Sequence, residues 1–136
     1  MESIKVLVAD DNDLSRMIAV NILSRQADFE IVGQADSGVE AITYTYLMSP
    51  DLVFLDAGLR GIGAVEVAKW IKKFTPGTKI VLIDHAGPKS NNKREGHEEI
   101  DGYISAGNLE HELPALFEQF KNGQSIRILT SGTIVM

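Results

Sequence analysis

The stretch IKVLVADD, residues 4–11, is an apolar run that ends on two carboxylates. Its Ile, Val and Leu residues suit a strand buried on both faces, as in a parallel sheet. Similar runs recur at Phe29–Val32, Leu52–Leu55, Ile80–Ile83 and Tyr103–Ile104. Two of these also close on an acid: PDLVFLDAG (50–58) on Asp56, and KIVLIDHAG (79–87) on Asp84.

Segments with helical spacing separate the runs. Leu14, Met17, Ile18, Ile22 and Leu23 form one apolar face, with Asp13 as its expected N-cap. Val39, Ile42, Tyr46 and Leu47 form the next, stopped at Pro50. Val65, Ala68, Trp70, Ile71 and Phe74 follow, with Trp70 and Phe74 expected in the core. Leu113, Leu116, Phe117 and Phe120 make the last face, ended by Gly123; Pro114 falls inside this pattern and removes a backbone bond unless the helix starts near Glu112 or Leu113. Tyr44 and Tyr46 cannot share a helix face, so one of them is expected to be exposed. Strand–helix alternation of this kind predicts a doubly wound α/β fold: a five-stranded parallel sheet with right-handed crossovers and five helices. Residues 86–99, AGPKSNNKREGHEE, carry almost no apolar side chain, so the fourth helix is expected to be weak or absent.

Composition narrows the function classes. The 136 residues fit one domain, and a hydrophobic fraction of 44% can bury a real core. A net charge of −6 disfavours direct nucleic-acid binding, which wants a basic face. The one dense basic cluster, Lys89, Lys93 and Arg94, is followed at once by acids. Without cysteine there is no disulfide framework, thiolate metal site or Cys nucleophile. No apolar stretch approaches the ~20 residues that span a bilayer. The N-terminus runs straight into a strand rather than a signal peptide, so a cytoplasmic address is expected. We divide the chain into a domain over 1–123 and a C-terminal extension over 124–136. The extension reads as a hairpin about Thr130-Ser131-Gly132 or as the start of a linker to an output domain.

Ligands of open parallel sheets bind outside the carboxyl ends of the strands, where Asp10, Asp11, Asp56 and Asp84 all fall. One acid at a strand end is ordinarily a helix cap or a solvated loop residue. Acids after strands one, three and four point instead to a site. Clustered carboxylates raise one another's pKa unless a cation neutralises them, and hard oxygen ligands select Mg²⁺ or a similar ion. A carboxylate beside such an ion can act as a nucleophile toward a phosphoryl group.

The stretches VLVADDND (6–13), SGVEAI (37–42) with SPDLVFLDAGLRG (49–61), and DGYI (101–104) resemble the receiver domains of two-component response regulators. The resemblance covers roughly residues 3–123. It implies a five-stranded α/β sandwich in which Asp56 is the phosphoacceptor, and Asp10, Asp11, Asp56 and the backbone carbonyl of Gly58 hold Mg²⁺. It also implies a non-enzymatic module in a phosphorelay, with a histidine kinase or phosphotransfer protein as donor and an output domain or a second copy as further partner. Tyr103 matches the family's switch aromatic. Other switch positions depart from the pattern: Asp84 stands where Ser or Thr is usual, Ala106 where Lys is usual, and Leu59-Arg60 where Met-Pro is common. Phosphoryl transfer depends on positioning and on neutralising charge, and losing one such donor costs ~3–4 kcal/mol. An atypical receiver, with weak or phosphate-independent switching, is therefore expected.

Two alternatives stand beside this reading. One is a Mg²⁺-dependent phosphatase of the haloacid dehalogenase type, disfavoured because strand one gives DDND rather than D-x-D and 136 residues hold no cap domain. The other is a pure protein-interaction domain. Gly58, Gly61 and Gly63 do not complete a G-x-G-x-x-G fingerprint, since Glu66 occupies the third place. His85, His97 and His111 read as surface residues, although His85 follows Asp84 and can approach the acidic pocket.

Overall fold

A computed structural model describes residues 3–85 and 98–123. Five strands, β1 (Ile4–Ala9), β2 (Phe29–Ala35), β3 (Leu52–Asp56), β4 (Lys79–Asp84) and β5 (Gly102–Ser105), form one sheet in the order β2-β1-β3-β4-β5. Every pairing is parallel. Each predicted strand is present, most of them a residue or more longer than the apolar run. Four helices lie among the described residues: α1 (Asp13–Ser24), α2 (Gly38–Met48), α3 (Ala64–Phe74) and α4 (Leu109–Lys121). The helix weighed over 86–99 falls mostly outside the described residues, where Lys89, Lys93, Arg94 and His97 also lie; Glu98 and Glu99 form a turn. The expected hairpin over 124–136 lies outside them as well.

Strand alternation sends side chains to two layers. Val6, Val8, Leu52, Phe54, Val81, Ile83 and Ile104 pack with Ala19 and Leu23 of α1 and Leu113 and Leu116 of α4. Leu7, Val53, Leu55, Ile80 and Leu82 pack on the opposite face with Ala41 of α2 and Val67, Ala68 and Ile71 of α3. Phe54 is fully buried, and removing a buried aromatic of this size typically costs ~3–5 kcal/mol.

The helix faces depart from the periodicity. Leu14, Met17 and Ile18 on α1, and Val39, Tyr46 and Leu47 on α2, are exposed, while Tyr44 is half-buried. The buried faces use smaller residues: Ala19 with Leu23 on α1, and Gly38, Ala41 and Thr45 on α2. Space explains the choice on α2. A Cβ at Gly38 would come within 2.6 Å of Ile62 Cγ2 and 2.7 Å of Val67 Cγ2, so only glycine lets α2 approach α3 this closely. Trp70 and Phe74 are not core residues; they stack on each other at 5.7 Å on the outer side of α3. The cap of α1 is Asn12, whose side chain accepts the Ser15 N–H, rather than Asp13. Finally, α4 begins at Leu109 behind a 3₁₀ turn over Ala106–Asn108, which leaves Pro114 inside the helix. Its ring faces solvent, and the apolar face of α4 holds the helix despite the missing N–H.

Candidate functional site

The carboxyl ends of β1, β3 and β4 converge as the sheet topology requires, with α1 starting directly above them. Asp10 follows β1 and is buried. Its Oδ1 accepts the Asn12 N–H at 2.9 Å, its Oδ2 accepts the Ser15 hydroxyl, and its backbone carbonyl accepts Arg16 Nη1 at 2.7 Å. These contacts fix the Asp10 carboxylate at the mouth of α1, whose N-terminal N–H groups favour negative charge.

Asp56 closes β3 and is 8% exposed. Its Oδ2 accepts the Gly58 N–H at 3.0 Å. Its Oδ1 is buried and accepts no hydrogen bond among the described residues, although His85 Nε2 lies 2.8 Å away. The two heteroatoms are close without a directed N–H donation. Burial first, and then the charge of Asp10, push the Asp56 carboxyl above its ordinary pKa of 3.8; His85 and the Gly58 N–H oppose that rise. An ionised Asp56 is therefore under-compensated.

Asp11 is half-buried at the groove formed by these strand ends. Its Oδ2 accepts the Arg60 backbone N–H at 3.0 Å and Arg60 Nε at 3.2 Å. The backbone donor is the leading cause that holds its carboxyl below 3.8. Gly58 sits against Asp56 in the turn after β3.

Asp84 ends β4, buried, in register with Ser105 of β5. Alternation sets it on the opposite side of the strand from Ile83 and His85. An open groove of about 650 Å³ is lined by Asp11, Asn12, Ser15, Asp56, Gly58 and His85, among others, and reaches Ala106 and Gly107. A smaller hollow of about 30 Å³ lies beneath it, between Ile18, Ala19, Asp56, Ile83, His85 and Ala106. Asp84 lines neither. Ala106 lines both and leaves space where a longer side chain would enter. Tyr103 is half-buried against the α2–α3 layer.

The structure thus brings Asp10 and Asp56 together and adds His85: one ligand atom from each lies within 4.8 Å of the others. Asp11 borders the same groove through its contact with Arg60. Sequence reasoning gave His85 a lesser place because it looked for acids. The signal available was alternation on β4, which sends residue 85 to the same side as Ile83.

The family model for the response regulator receiver domain matches residues 6–116. The chain belongs to that family. Receiver domains are in general signalling modules of two-component systems rather than enzymes; response regulators work with histidine kinases and carry output domains. The response regulator protein VraR of Staphylococcus epidermidis is 30% identical over 124 residues, covering 91% of this chain and 59% of that protein. VraR of Staphylococcus aureus is 29% identical over the same length and shares. The chain therefore spans little more than half the length of these relatives. Among solved structures, a two-component response regulator of the LuxR family from Aurantimonas sp. SI85-9A1 aligns with a TM-score of 0.78 at 21% identity, over 93% of this chain and 89% of that one. The receiver domain of NarL from Mycobacterium tuberculosis aligns with a TM-score of 0.70, also at 21% identity, over 87% and 98%. At such identity the likeness supports the fold, and the receiver has the predicted one. Among the described residues, no helix is long and apolar enough to cross a membrane.

Proposed function

We propose that this receiver accepts a phosphoryl group on Asp56 from a histidine kinase or phosphotransfer protein, with Mg²⁺ held by Asp10, Asp11, Asp56 and the Gly58 carbonyl. The observation that carries this reading is Asp56 Oδ1: a buried carboxylate oxygen with no hydrogen bond among the described residues, beside a second buried carboxylate at the strand ends. The residues fit a hard divalent cation, since the donors are carboxylate and carbonyl oxygens and the pair repels itself without one. Such an ion supplies neutralisation of the carboxylates and of the phosphoryl oxygens. The chain's own part is to present the nucleophile. An Asp56 oxygen forms the new P–O bond while the P–N bond to the donor imidazole breaks. The electron pair leaves with that imidazole, which takes a proton from solvent.

His85 Nε2 lies 2.8 Å from Oδ1, on a half-exposed ring. Ala106 offers no cation to the incoming oxygens, so transfer is slow and the phosphorylated state is weakly held. Asp84 contributes less to this weakness than its place in the family pattern implies, because it lines neither the groove nor the hollow. The receiver would then signal through a histidine kinase upstream and an output domain or a second copy downstream.

The test is incubation with acetyl phosphate and Mg²⁺, read by intact-protein mass. An acyl phosphate adduct that is stable at neutral pH, lost in base, and absent from Asp56→Asn is the expected result. An adduct that persists in Asp56→Asn, or turnover of phosphomonoesters, would overturn the assignment.

A further inference from the structure

We propose that His85 is a ligand of the cation site and gives the pocket a preference for imidazole-binding transition ions that its oxygen ligands alone would lack. This rests on the reading of Asp10 and Asp56 as cation ligands and adds a residue and an ion class to it. Three observations support it. One ligand atom from each of His85, Asp10 and Asp56 lies within 4.8 Å of the others. Nε2 and Oδ1 are 2.8 Å apart, yet Oδ1 accepts no directed hydrogen bond. Two donors in neighbouring positions on one ion, at bond lengths of about 2.1 Å, sit about 3 Å apart with their axes converging on the ion rather than on each other. The 2.8 Å separation matches that spacing. Third, Asp56 is 8% exposed, and its Oδ1 accepts no hydrogen bond among the described residues, its near neighbour being the His85 ring.

The chain reaches this arrangement through β4. Ile83 faces the α1 layer, Asp84 the opposite layer, and His85 faces the α1 layer again, now beyond the sheet edge and over Asp56. Its ring is half-exposed, so it can reorient over the groove with little disturbance to the core. Carboxylates alone suit Mg²⁺, Ca²⁺ and Mn²⁺, whereas an imidazole added to them favours Co²⁺, Ni²⁺ and Zn²⁺.

Calorimetric titration of the full chain with Co²⁺ and, separately, Mg²⁺ tests this in wild type, His85→Ala, His111→Ala and Asp56→Asn. His85→Ala should lower Co²⁺ affinity about tenfold or more and leave Mg²⁺ affinity within about threefold. His111→Ala, on the exposed side of α4, should change neither. The Co²⁺ visible absorption should change in His85→Ala and in no other histidine variant. Equal losses for both ions, or no change for either, would overturn the role of His85 while leaving the acidic site standing. If Asp56→Asn bound both ions as wild type does, or wild type bound neither, the acidic pocket itself would fail as a cation site and this inference with it.

Discussion

At the amino end of the sheet, Lys72 Nζ reaches Asp101 Oδ2 at 2.8 Å and the Thr78 carbonyl at 2.7 Å, and the same Oδ2 accepts the Ile80 N–H at 2.8 Å. Asp51 Oδ2 accepts the Lys5 N–H, and the Thr78 hydroxyl donates to the Pro50 carbonyl. At the carboxyl end, about one strand length away, Asp10 and Asp56 are buried side by side and Asp56 Oδ1 accepts no hydrogen bond among the described residues. The same fold thus satisfies acids at one end and leaves one carboxylate oxygen without a directed hydrogen bond at the other. A stable domain needs the first arrangement. A buried carboxyl of raised pKa beside a second buried acid is the pattern of a site that meets a charged ligand.

Removing the uncompensated charge is the strongest way to break this contrast. Asp56→Asn should abolish phosphorylation and, in metal-free buffer, raise stability near neutral pH by about 1 kcal/mol, the size of an ordinary single-site effect. The sign follows from the raised carboxyl pKa of Asp56. The folded state keeps this proton at pH values above 3.8 where the unfolded state has released it. Wild-type stability therefore falls as pH rises through the folded-state value, and the Asn variant lacks that fall. Urea melts across pH 4–7 (roughly the range in which shifted carboxyls titrate) would show the two curves diverging as pH rises. Parallel curves would show that burial does not strain Asp56.

The next largest effect sharpens which departure from the family pattern matters. If the groove lacks a cation at residue 106, Ala106→Lys should speed phosphorylation by acetyl phosphate about 100-fold, the lower end of what one charge-stabilising donor provides. Asp84→Thr alone should do much less, since Asp84 lines neither cavity. A larger gain from Asp84→Thr than from Ala106→Lys would reverse that ranking.

These placements mark what was legible in the sequence. The strands were, because IKVLVA, LVFLD and KIVLID are buried on both faces and need no side chosen. The helix faces were not. On α2, Val39, Ile42, Tyr44, Tyr46 and Leu47 run around most of the surface, so apolar spacing cannot select a side. The crowding of Ile62 and Val67 against Gly38 selects it instead. Asp10 and Asp56 were legible as strand-end acids, and Asp84 was read by the same rule. The rule overlooked that alternation carries the next residue, His85, into the site.

At the amino end the contrast predicts stability effects without functional ones. Asp101→Ala leaves Lys72 half-buried without its carboxylate and removes an acceptor from the Ile80 N–H. A loss of about 2 kcal/mol is expected from chemical melts, within the range for hydrogen bonds to charged groups. Mg²⁺ affinity should stay unchanged. A loss of Mg²⁺ affinity would mean that the two ends are coupled through β4 and β5.

The smallest effect concerns the pair that borders both regimes, Asp11 and Arg60. Arg60 is exposed, so its guanidinium contact with Asp11 should contribute at most a few tenths of a kcal/mol, less in salt. The leading cause of the lowered Asp11 carboxyl is instead the Arg60 backbone N–H, which survives substitution. Arg60→Ala should therefore leave the Asp11 carboxyl still below 3.8 in an NMR titration, with Tm nearly unchanged. A return to the ordinary value would show that the guanidinium, and not the turn after β3, holds Asp11. That outcome would make Asp11 a mobile acid whose readiness for a cation depends on one surface side chain. The expected outcome makes it an acid whose position is set by the backbone of the same turn that carries Gly58.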